Sequence, residues 1–60
     1  MITKAVQRDE WVDIYCDRFS GSISVVGTLL GFTSTSVTIR DRYGWINEYD
    51  ANANKTKEYH

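Results

Sequence analysis

Hydrophobic residues in this chain recur at every second position, and that alternation suits an extended strand rather than a helix. In Trp11-Val12-Asp13-Ile14-Tyr15-Cys16 the apolar Val12, Ile14 and Cys16 share one face, with Trp11, Asp13 and Tyr15 on the other. Ile23 and Val25 alternate with Ser22 and Ser24, and Val37 and Ile39 alternate with Ser36, Thr38 and Arg40. β-branched Val and Ile also favour a pleated surface.

Between these runs the punctuation is that of turns. Asp17 to Ser22 ends in Ser-Gly-Ser, and a second strand then runs from Ile23 to about Phe32. Gly27 and Gly31 lie inside it, where a missing side chain marks a sharp bend, a bulge or the close approach of another backbone. Thr33 to Ser36 is a tight polar connection into a third strand, and Asp41-Arg42-Tyr43-Gly44 is the next turn. Trp45 to Tyr49 resumes an extended course, with Trp45, Asn47 and Tyr49 opposite Ile46 and Glu48. Asp50 to Asn54 is a loop, and Lys55 to His60 adds a short fifth strand. The first ten residues are read as one or two helical turns around Ala5 and Val6, capped by Thr3. The expectation is a single all-β domain over residues 1–60: a small, strongly bent five-stranded barrel with a short N-terminal helix.

The chain has 60 residues, so a core of its own is marginal and association with other copies is one of the few ways to add burial. Cys16 is the only cysteine, which leaves no disulfide and no Cys/His set for a structural zinc. Alternating with Val12 and Ile14, it reads as a buried small hydrophobe. A formal net charge of -1 excludes a generally basic nucleic-acid-coating protein and leaves only a local patch for such binding. Lys4, Gln7, Arg8, Asp9 and Glu10 interrupt any apolar run near the N-terminus, and Ile23 to Phe32 is too short and too polar to span a bilayer. A soluble, cytoplasmic protein is expected.

Gly27-Thr28-Leu29-Leu30-Gly31-Phe32, followed by the polar Thr33 to Ser36 and by Val37-Thr38-Ile39, resembles the first sequence motif of the Sm-like and Hfq-like small-barrel superfamily. That motif has a glycine, a bulky aliphatic two positions on, an aromatic three further, a short polar loop and an aliphatic strand. With Val12, Ile14, Cys16 and the turn at Gly21, the likeness covers residues 11–41; the second motif is not matched. Thr33 stands where the family has an acidic residue after the aromatic, and Thr35 where many members carry a base-stacking ring. The resemblance implies an SH3-like or Sm-like barrel that joins edge strands of neighbouring copies into a homo-oligomeric ring. It also implies binding of single-stranded RNA by loop residues Thr33, Ser36, Asn52, Asn54 and Lys55; separately, exposed aromatic rings can stack bases, with Arg40, Arg42 and Lys55 nearby to neutralise phosphate.

Trp11, Tyr15, Tyr43, Trp45 and Tyr49 fall on or near faces that the alternation turns outward, and Trp and Tyr are enriched at protein interfaces. These five are the expected interface residues. They also support the alternative reading, an SH3-like protein-interaction module of the kind a small viral, phage or other mobile-element factor would dock on a host protein. Asp50-Ala51-Asn52-Ala53-Asn54 opens like a calcium loop, but Lys55 takes the place of the required glycine and the bidentate glutamate would fall beyond His60. Asn54-Lys55-Thr56 fits the glycosylation pattern without a leader to make use of it. Asp9, Glu10, Asp13 and Asp17 read as a solvated acidic face. No nucleophile and base are paired, and His60 at the chain end lacks the fixed geometry of a general base. No enzyme, cofactor or metal is expected.

Overall fold

The computed structural model describes residues 1–18 and 20–60; Phe19, part of the expected turn from Asp17 to Ser22, lies outside the described residues. The described residues form seven strands and no helix: β1 (Ile2–Arg8), β2 (Trp11–Cys16), β3 (Ile23–Val26), β4 (Thr28–Phe32), β5 (Ser36–Arg40), β6 (Ile46–Asp50) and β7 (Lys55–Tyr59). They pair as two antiparallel sheets, β1-β2-β3 and β4-β5-β6-β7. The all-β expectation holds, whereas the five-stranded closed barrel does not. No helix among the described residues is long and apolar enough to cross a membrane.

The N-terminal segment is the first correction. Residues expected to be helical form β1, which pairs with β2 from Ile2↔Cys16 to Arg8↔Trp11 around the tight Asp9–Glu10 turn. Asp9 takes φ 42°, a conformation that Asp tolerates better than most residues. A helix at Ala5 and Val6 would leave one edge of β2 unpaired, and six paired residues of ladder outweigh one weak cap.

The second correction concerns the long strand, which divides at Gly27 into β3 and β4, one in each sheet. Gly27 adopts φ 147°, and a Cβ there would strike the Ile39 side chain and lie 2.7 Å from the Arg40 carbonyl oxygen. Only glycine fits both the dihedral and the space. Gly31 has open space where a Cβ would go. Its neighbourhood carries a register shift between Leu29 and Gly31 in the β4–β5 ladder, so it marks a bulge and not the corner.

The two sheets meet along β1 and β4 without forming a continuous ladder. The Ile2 N–H donates to the Ser34 carbonyl at 2.8 Å at one end of the seam. At the other end Gln7 Oε1 accepts from the Leu29 N–H at 2.7 Å, and Gln7 Nε2 donates to the Gly27 carbonyl at 3.1 Å. β3 and β7 remain as edges. The core lies between the inner faces of β2 and β5, where Val12, Ile14, Val37 and Ile39 are fully buried and Ile2 and Cys16 join them. Each such aliphatic side chain contributes roughly 1.5–3 kcal/mol by burial.

Candidate functional site

The turn between β5 and β6 is organised by one carboxylate. Asp41 Oδ1 accepts from the Tyr43 N–H at 2.9 Å and the Trp45 N–H at 3.0 Å, while the main chain closes through Asp41 N–H to Trp45 O at 2.9 Å. Gly44 supplies the positive φ of 85° that this tight path requires. Asn47, buried on the inner face of β6, donates from Nδ2 to Asp41 Oδ2 at 3.4 Å, and its Oδ1 has no partner among the described residues. Partial burial opposes ionisation of Asp41 most strongly. The Trp45 and Tyr43 amides and the Asn47 amide together outweigh it and hold the carboxyl below its ordinary value.

This turn presents aromatic rings to solvent. Tyr43 is 76% exposed and Trp45 41% exposed, and the Trp45 ring meets that of His60 at 4.6 Å between centroids. The cross-strand register adds Tyr59, opposite Ile46, which is itself opposite Arg40. Partial burial and the nearby Glu48 push the Tyr59 hydroxyl pKa up. A shallow cleft of about 220 Å³ is lined by Asp9, Glu10, Val26, Gly27, Thr28 and residues 40–42, where the chain enters this turn. Besides Asp41, its lining includes two cationic residues, Arg40 and Arg42, and two acidic ones, Asp9 and Glu10. None of these four makes an ion pair among the described residues.

The five expected interface aromatics separate into three places. Tyr43 and Trp45 share the turn just described. Trp11 and Tyr15 lie on the outer face of the β1-β2-β3 sheet, where Trp11 is in register with Arg8 and Val26 and the Lys4 ammonium sits 4.9 Å over the Tyr15 ring. Tyr49 turns inward and packs against the core, opposite Val37, so its expected outward face is corrected. Alternation alone did not distinguish the faces of β6, because Asn47 and Tyr49 alternate with Ile46 and Glu48 and neither pair is clearly apolar.

Of the loop residues expected to contact RNA, Thr33, Ser36, Asn52, Asn54 and Lys55 share one end of the four-stranded sheet, since Ser36 pairs with Asp50. Arg40 lies at the opposite end of β5. Several of their polar atoms are engaged within the chain. Thr33 Oγ1 accepts from the Thr35 and Ser36 amides, Asp50 Oδ1 accepts from the Asn52 and Asn54 amides, and Arg18 donates to Asn52 Oδ1 at 3.0 Å. Lys55 Nζ pairs with Glu58 at 2.8 Å, and that bond is the main cause of its raised pKa. The Asp50–Asn54 segment is thus a self-satisfied polar turn, with Ala53 at φ 63°.

The acidic face is also corrected. Asp13 is only 9% exposed, covered on the outer face of β2, and it accepts from Ser24 Oγ at 2.8 Å and Arg8 Nε at 3.0 Å. The Ser24 hydroxyl is the largest influence holding this carboxyl below its ordinary value, and Arg8 adds to it against the opposing effect of burial. Asp17 forms an ion pair with the N-terminal ammonium at 2.6 Å. Cys16 is buried as expected, and its Sγ–H donates to the Ala51 carbonyl at 3.1 Å.

His60, whose ring meets that of Trp45, escapes sequence reasoning, and so does Tyr59, which the register places opposite Ile46 at the same end of the sheet. Lys55 to His60 alternates too weakly to assign a face, and only the β6–β7 register brings Tyr59 to Ile46. The chain matches no protein-family model, no curated protein and no solved structure.

Proposed function

We propose that this chain is a non-catalytic protein-interaction module that docks its Tyr43, Trp45 and Tyr59 end against a partner presenting an apolar side chain flanked by charges of both signs. Exposed Tyr and Trp beside Arg make up the residue set that dominates binding energy at protein interfaces. One observation carries the choice of partner class: the cleft at the start of the β5–β6 turn is lined by Asp9 and Glu10 as well as by Arg40 and Arg42. A phosphate backbone entering it gains from the guanidiniums and is repelled by the carboxylates, whereas a protein surface of mixed charge satisfies both signs.

A display library of mixed-charge peptides, selected against the protein with the Trp45→Ala variant as the counter-target, tests this reading. Enrichment of sequences that bind the wild type and not the variant is expected. A library that yields no such sequences overturns it.

The second reading is an Sm-like ring that binds single-stranded RNA through the Thr33–Ser36 and Asn52–Lys55 loops, and the common end of those loops supports it. A fluorescent oligo-uridine separates the two. Binding that weakens steeply as salt rises favours the ring, and no binding at low salt removes it.

A further inference from the structure

We infer that the free edge of β3 is a self-association surface, at which two copies pair antiparallel about a twofold axis centred on Val25. This goes beyond the docking of a partner: Val26 of β3 also lines the cleft, but the pairing uses the main-chain groups of Ser24 and Val26, which docking at the β5–β6 turn leaves free, and amide exchange without any partner present reads it separately.

The backbone of β3 specifies which groups are free. The Gly27 N–H donates to the Glu10 carbonyl at 2.8 Å, continuing the Trp11↔Val26, Val12↔Val25 register by one residue. Hydrogen-bonded and non-bonded pairs alternate along an antiparallel ladder. Val25 and Ile23 therefore direct their main-chain groups to β2, and Ser24 and Val26 direct theirs outward, where no strand of the described residues meets them.

The two edges of the fold differ in how they are guarded. β7 carries Lys55, Lys57 and Glu58, the charges that commonly deter edge pairing. β3 reads Ile-Ser-Val-Val, and there is no charged residue between Arg18 and Arg40. Two copies meeting at β3 bring no like charges together along the strand. Val26 is 57% exposed beside the exposed Trp11, so an apolar outer face adjoins the open main chain.

Side-chain parity narrows the register. Ile23 and Val25 face inward and Ser24 and Val26 outward, so opposite residues match faces only when the axis passes through a residue. Centring on Val25 sets Ser24 against Val26 of the second copy, and the reverse. The free N–H and C=O groups of both residues are then used in reciprocal pairs. The two Val25 side chains meet on the inner face, and the joined sheet has six strands.

Mass in solution, measured by light scattering over a concentration series, is the test, with amide exchange of the same samples. The expected mass approaches twice 6.9 kDa as concentration rises, and the Ser24 and Val26 amides slow with it while β7 amides do not. Val26→Lys, a change at an exposed position, should return the mass to that of one chain with the circular dichroism spectrum retained. A mass that stays at 6.9 kDa throughout, or an oligomer untouched by Val26→Lys, overturns the inference. Should the variant unfold, concentration-independent exchange at Ser24 and Val26 in the wild type overturns it equally.

Discussion

The Gln7 side chain and the Leu29 main chain join two sheets that share no ladder at that point: the Leu29 N–H donates to Gln7 Oε1 at 2.7 Å. The amide nitrogen of the same side chain lies 3.1–3.2 Å from the carbonyls of Asp9, Trp11 and Gly27. One glutamine thus ties the β1–β2 turn to the corner where β3 becomes β4. Gln7→Met keeps the length and removes every hydrogen bond, and a loss of roughly 1–3 kcal/mol is expected in chemical denaturation. Gln7→Glu keeps the acceptor for Leu29 but sets a carboxylate against three carbonyls, so it should destabilise at neutral pH and recover in part when protonated.

Gly27 and Gly31 should respond oppositely to the same substitution. Gly27→Ala meets both a left-handed dihedral and the Ile39 and Arg40 atoms, for an expected loss on the order of 3 kcal/mol. Gly31→Ala has open space and should change stability by less than about 1 kcal/mol. Equal effects in thermal melts would contradict the assignment of the corner to Gly27.

Ile39 sits at the centre of the core and against the Gly27 corner. Ile39→Val should cost about 0.5–1.5 kcal/mol and Ile39→Ala about 2–5 kcal/mol. A domain of this length has only a few kcal/mol to lose, so the alanine variant should be largely unfolded at 37 °C. Leu30→Ala, at an exposed position, should melt close to the wild type.

Acid should loosen the fold through three aspartates. Asp13, Asp17 and Asp41 are all held below the ordinary value of 3.8: Asp13 chiefly by Ser24, Asp17 chiefly by the N-terminal ammonium, and Asp41 by the Trp45 and Tyr43 amides against burial. A depressed folded-state pKa gives stability that is present above the unfolded value and lost as pH falls through the folded one. Melting temperature should therefore be flat near neutrality and drop below about pH 4. The Asp13→Asn and Asp41→Asn variants should show a shallower drop, and unchanged acid profiles in both would refute these linkages.

The strands with a decisive inner face were legible in the sequence, and those without one were not. Val12, Ile14 and Cys16 in β2, and Val37 and Ile39 in β5, alternate cleanly and lie in the core as expected. β1 was missed because Thr3-Lys4-Ala5-Val6-Gln7-Arg8 has no strong period; its strand state comes from pairing with β2 and from the seam to β4. Glycine at position 27 announced a bend, but whether that bend stays within one sheet or passes between two depends on the Ile39 and Arg40 atoms packed against it. The candidate site was half legible: Tyr43 and Trp45 stood out, while Tyr59 joins them only through a register that no local pattern encodes.

β7 contributes no buried side chain and its main ladder partner is β6, yet it carries Tyr59 and leads into His60. Part of the aromatic surface is therefore mounted on the strand that places no side chain in the core. Under the proposed docking mode, a partner gripping Tyr59 also holds β7 against β6, so occupancy and the ordering of that strand become one equilibrium, read out as slowed hydrogen exchange from Lys55 to Tyr59.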